Sequence, residues 1–111
     1  MPVYMDDKRL ARRLLAGEAR AFDQFFDDNF ARLYRFAMVR LADDPEGARE
    51  VVQMAMTRAA QKMHTYRAES AMFTWLCAIC RNEISDWLTR QGRYRNHIVL
   101  IEDFPEVQAA V

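Results

Sequence analysis

"FDQFFDDNFARLYRFAMVRL", residues 22–41, contains neither glycine nor proline, and its apolar residues recur at steps of three and four. Phe22, Phe25, Phe26, Phe30, Leu33, Phe36, Ala37 and Leu41 fall on one stripe, the signature of an amphipathic helix with one buried face. Rings on such a stripe are most economically core. The spacing predicts a helix over 19–41, and a helix that long needs partners to cover it.

The flanking sequence supplies them. Upstream, residues 7–15 form a short helix that Gly17 stops. Downstream, "LADDPEGARE" closes the long helix and opens the next, with Asp44 as N-cap, Pro45 in the first turn and Glu46 complementing the dipole. This third helix runs to about residue 63 and buries Ala48, Val51, Val52, Ala55, Met56, Ala59 and Met63. Its alanines imply close approach of a neighbouring helix. "HTYRAE" breaks the period, Ser70 is the expected N-cap of a fourth helix, and Gly92 ends that helix after Gln91. Beyond it the period is lost, so residues 94–111 are expected to be a linker or docked terminus after a domain spanning 1–93. The expected fold is all-α, a compact bundle of three long helices plus a short N-terminal one.

At 111 residues the chain holds one core. No apolar run approaches the ~20 residues of a membrane span, and the start lacks a secretion signal. A cytosolic location is the expectation. The zero net charge hides a gradient: residues 1–56 carry nine basic and ten acidic side chains, 57–96 carry seven and three, and 97–111 carry three acidic and none basic. A polyanion would prefer the third quarter of the chain. On charge alone an ordinary mixed surface is the better account of so small an excess.

On a helical wheel the fourth helix divides in two. Met72, Leu76, Ile79, Cys80, Ile84 and Trp87 fall together and are expected to be buried. Thr74, Ala78, Arg81, Asn82, Ser85 and Thr89 lie opposite, with Trp75 at the edge. Small polar residues let a sugar–phosphate backbone come close, and Tyr66 and Phe73 add rings on which unpaired bases can stack. A merely solvated face, with Trp75 packed at a helix margin, fits the same pattern.

Residues 22–93 resemble region 2 of bacterial sigma factors of the extracytoplasmic-function (ECF) group. The resemblance is carried by "FDQFFDDNFARLYRFAMVRL", by "DPEGAREVVQMAMTRAAQKM" and, most specifically, by "YRAESAMFTWLCAICRNEISDWLTR". It implies a transcription initiation domain that binds core RNA polymerase through the β′ helical hairpin and captures non-template-strand bases as the promoter −10 element opens. The polymerase-facing residues it implies are Glu50, Gln53, Met54, Thr57 and Arg58. The DNA-facing residues it implies are Tyr66, Arg67, Ala68, Glu69, Ser70, Phe73, Thr74, Trp75, Arg81, Asn82 and Ser85. Extracting a base costs a few kcal/mol, offset by stacking, edge hydrogen bonds and phosphate contacts.

The sequence also departs from the family pattern. Met54 stands where an acid is usual, Ala68 where glycine is usual, and Cys77 and Ala78 where an aromatic and an arginine often stand. If the loop needs φ > 0 at residue 68, alanine carries a steric penalty. A sigma factor of this group also has a C-terminal helix-turn-helix region for the −35 element, which these residues do not supply. The expectation is a fragment of a longer chain, or dependence on another factor to find promoters. The alternative is a sigma-fold interaction domain that binds polymerase or an anti-sigma factor without melting DNA.

Other motifs carry less. Cys77-Ala-Ile-Cys80 lies inside a helix and reads as packing, and His64 and His97 are not at zinc-finger spacing. Asp27-Asp28 is helix surface and Asp43-Asp44 belongs to capping. With no phosphate-cradling glycine loop and no nucleophile–base order, neither enzymatic activity nor a cofactor or metal is expected.

Overall fold

The computed structural model describes residues 4–92, which form four α-helices: α1 (Met5–Leu15), α2 (Ala19–Arg40), α3 (Pro45–Gln61) and α4 (Met72–Arg90). A single 3₁₀ turn, Met63–Thr65, follows α3. Three long helices and a short first one make an all-α bundle. The expected linker over 94–111 lies outside the described residues.

The connections are locally encoded. Gly17, at φ +79°, ends α1 with Glu18 N–H donating to Arg13 O and Gly17 N–H to Leu14 O, the paired bonds of a Schellman motif. α2 ends in the same manner, with Asp43 N–H donating to Met38 O, although Ala42 and Asp43 must then take φ +53° and +58°. Asp44 caps α3 as expected, its Oδ1 accepting from Gly47 N–H at 3.0 Å.

α3 buries the face the sequence predicts: its six expected core residues are inside, and Met63, expected on the same helix, is buried in the 3₁₀ turn that follows. On α2 the stripe shifts. The buried row is Ala21, Phe25, Asn29, Leu33 and Ala37, continued by Leu41, whereas Phe22 and Phe26 are exposed at 44% and 48%. Close-packed helices favour small residues along their contact line, and bulky rings move to its margin. Phe26, Phe30 and Tyr34 instead stack along the surface, with centroids 4.8 and 6.2 Å apart. Buried Asn29 is satisfied by donating from Nδ2 to Phe25 O at 2.8 Å.

α4 needs two corrections. Its inner face also takes Cys77, Glu83 and Leu88, while Trp87 is only half-buried, because α4 packs on both α2 and α3 and hides a wider arc than one stripe. Ser70 is not its N-cap. The helix starts at Met72, whose N–H donates to Asp7 Oδ2 of α1 at 2.8 Å. An orphan amide of the first turn is thereby satisfied from across the bundle rather than by the preceding loop.

Candidate nucleic-acid interface

The loop between the 3₁₀ turn and α4 is folded on itself. The Tyr66 hydroxyl donates to Ser70 O at 2.6 Å, and Ala68 is turned inward, 1% exposed, at φ +57°. The left-handed region costs an alanine ~1–2 kcal/mol, and burial of its methyl group offsets roughly half of that. Arg67 and Glu69 flank it and point to solvent. The Tyr66 and Trp75 rings meet at 5.1 Å, tilted by 47°, and both are half-buried. The pair is therefore only partly covered by the fold.

The N-terminal end of α1 and the residue before it pin this loop at two points. Tyr4 N–H donates to Ala68 O at 3.1 Å, and Asp7 caps Met72. Loss of a capping side chain costs ~1 kcal/mol, while Asn caps as well as Asp. We therefore expect Asp7→Ala to speed amide exchange at residues 69–73 about five-fold, Asp7→Asn to restore protection, and Asp6→Ala, at an exposed position, to change nothing there. Hydrogen exchange measured residue by residue checks this.

Burial pushes the Tyr66 phenol up to about 12, with the Asp7 carboxylate and Tyr4 adding to the effect. It therefore remains a neutral donor throughout the physiological range. The folded state holds this proton more tightly than the unfolded chain, whose phenol titrates near 10.0. Its contribution is complete below pH 10 and is lost as pH rises toward 12. Denaturant titrations across that window should show a shallower loss in Tyr66→Phe than in the parent.

The remaining expected residues divide between two edges of α4. Thr74, Arg81, Asn82 and Ser85 are exposed. On the α3 edge, Trp75 and Asn82 lie in one row, and Asn82 borders a hollow shared with Arg58, Lys62, Glu83 and Asp86. That hollow carries both signs of charge, with Arg58 Nε 3.1 Å from buried Glu83 Oε2. On the α2 edge, Phe73 is half-buried beneath the guanidinium of Arg32, 3.8 Å from the ring centroid. Arg40 and Arg81 lie over Phe36 at 3.7 and 5.5 Å.

Sequence reasoning missed Arg32 and Arg40. The spacing Arg32-x₃-Phe36-x₃-Arg40 was available as a signal, but reading Phe36 as core hid it. Asp7 left none, since its partner is 65 residues away.

Glu50, Gln53, Thr57 and Arg58 are exposed on α3 and Met54 is half-exposed, so these five share a side that the core does not use. Gln53, Met54, Thr57 and Arg58 line one shallow groove with Gln61. An apolar groove adjoins it, walled by Phe22 and Phe26 and sharing Gln53 and Thr57.

Cys77 and Cys80 are buried within α4. Burial raises both thiols. At Cys77 the three arginines Arg81, Arg40 and Arg32 oppose the rise, and Cys80 is pushed up to about 12. Both are protonated packing residues at neutral pH.

Residues 25–94 match the sigma-70 region 2 family. Relatives include the RNA polymerase sigma-H factor of Pseudomonas aeruginosa, 31% identical over 78% of this chain and 45% of that protein. The ECF RNA polymerase sigma-E factor of Haemophilus influenzae is 32% identical over 93% of this chain and 54% of its own length. That of Escherichia coli is 30% identical over 84% and 48%. No solved structure matches at a significant level. The all-α bundle is consistent with a sigma region 2 domain. The chain belongs to the sigma-70 region 2 family, in the ECF group, and spans about half the length of the relatives it matches.

Proposed function

We propose that this chain is the part of a transcription initiation factor that docks on core RNA polymerase and captures bases of the −10 element, within a domain covering 1–93. The observation that carries the proposal is the half-open Tyr66–Trp75 ring pair beside a loop held shut by the Tyr66–Ser70 bond. An unstacked base of the non-template strand would lie on the open side of this pair. Asn82 and Ser85 would offer hydrogen bonds to its edge or backbone, and Thr74 to the neighbouring nucleotide. Arg67 and Glu69, at the loop's rim, would set which base enters. The side of α3 bearing Glu50, Gln53, Met54, Thr57 and Arg58 would take the β′ helical hairpin, Met54 replacing a charge contact with an apolar one. The domain would do no chemistry of its own and would act where polymerase acts, in the cytoplasm. An anti-sigma factor would compete for the same surfaces.

The mixed charge beside Asn82 favours one rival, a sigma-fold domain that binds polymerase or an anti-sigma factor without melting DNA, since Glu83 and Asp86 oppose an approaching phosphate. Titration of this domain with a single-stranded −10 oligonucleotide, its complement and the isolated β′ hairpin separates the two. Preference for the non-template strand, together with hairpin binding, is the expected result. Hairpin binding with no detectable oligonucleotide affinity selects the rival.

A further inference from the structure

We propose that Arg32, Arg40 and Arg81, seated on Phe73 and Phe36, form a phosphate track along the α2–α4 edge that carries the strand whose base reaches the Tyr66–Trp75 platform. The inference rests on the base-capture reading but adds Arg32 and Arg40 to the expected Arg81 and uses a different kind of contact.

Three observations carry it. Two of the guanidiniums are held close on rings: Arg32 lies over Phe73 at 3.8 Å, and Arg40 lies over Phe36 at 3.7 Å while donating to Phe36 O at 3.3 Å. A cation held on a ring face is pre-organised, and its edge N–H groups remain free for an anion. Among the described residues no carboxylate pairs with any of the three, in contrast to Arg9, Arg13 and Arg58, each of which has an acidic partner. Finally, positions advance together on the two helices, with Phe73 beside Arg32 and Arg81 beside Phe36.

Residues 32 to 40 rise about 12 Å, long enough for more than one phosphate of a strand to meet the guanidiniums. Between this edge and the Trp75–Asn82 row, α4 presents Thr74, Ala78, Ser85 and Thr89 to solvent. A backbone on the arginines can therefore lay a base across the helix without meeting a bulky side chain. The Cys77 thiol, directly beneath, feels all three guanidiniums.

Two kinds of contact predict two kinds of salt dependence. For single strands each phosphate neutralised adds about 0.7 to the steepness of log affinity against log salt. Titrate the domain, at several salt concentrations, with a −10 oligonucleotide and with an abasic deoxyribose-phosphate oligomer of equal length. The triple variant Arg32→Ala/Arg40→Ala/Arg81→Ala should lose about two units of slope with both probes. Trp75→Ala should weaken only the base-containing probe and leave the slope unchanged. Arg9→Ala/Arg13→Ala should behave as the parent, and thermal melts establish that each variant is folded.

An unchanged slope in the folded triple variant overturns the track, as does failure of the parent to bind the abasic probe. Loss of β′ hairpin binding in place of phosphate binding also overturns it and makes the edge a protein contact. If the abasic probe behaves as expected but Trp75→Ala has no effect, base capture fails and the track stands.

Discussion

Arg58→Ala will destabilise the domain by about 2 kcal/mol, far more than an exposed arginine on α3 would ordinarily cost. Its partner is the reason. Glu83 is 3% exposed, its Oε2 takes the bond from Arg58 Nε at 3.1 Å, and its Oε1 is buried with no hydrogen-bond partner among the described residues. Removing one member of a buried pair costs ~3–5 kcal/mol when both are sealed, because the other charge remains without compensation. The Arg58 side chain is 46% exposed, so water reaches the gap and the cost falls. On a domain of this size the melting temperature should drop by about 10 °C.

A double substitution, Arg58→Met with Glu83→Met, should recover most of that stability, since apolar replacement of both partners is often neutral. It should not recover hairpin affinity if Arg58 also meets polymerase. Stability and binding then separate in one pair of proteins. Denaturant midpoints for Arg58→Ala within 0.5 kcal/mol of the parent would show that Glu83 does not depend on this ion pair.

Trp75→Ala should weaken single-stranded −10 DNA by about ten- to one-hundred-fold, from stacking worth ~1–3 kcal/mol per base. The indole is half-buried and packs against the Tyr66 ring at 5.1 Å. Trp75→Phe should therefore retain most of the affinity. Asn82→Ala should act more weakly and mainly on base preference, because its amide supplies hydrogen bonds without stacking area. Fluorescence titration reads all three, and hairpin affinity should not move. Equal affinities for parent and Trp75→Ala would remove the ring platform from the DNA path.

The bundle was legible in the sequence wherever one residue size dominated a helix face. α3 shows this best: its valines, alanines and methionines recur at core spacing, and Asp44-Pro45 marks its start. α2 was read as a helix within one residue at its end, yet its inner row was misjudged. Two adjacent rows compete on that helix, one of large rings at 22, 26 and 30 and one mixing Ala21, Asn29 and Ala37 with Phe25. Hydropathy favours the rings, but tight packing against α3 and α4 favours the small residues, and only the partner helices decide. The left-handed backbone at residue 68 could be anticipated from the alanine standing where the family has glycine. The cap from Asp7 and the ring-seated arginines could not, because each joins helices whose register the sequence does not state.

Asp7's bond to Met72 also bears on how the molecule assembles. The α2–α3 hairpin carries its own stop and start signals and can form from neighbouring residues, whereas the front of α4 waits for a carboxylate 65 positions earlier in the chain. Closing so long a span is slow relative to local turns, so the α1–α4 junction should consolidate after the transition state. Weakening it should quicken unfolding while refolding rates barely change.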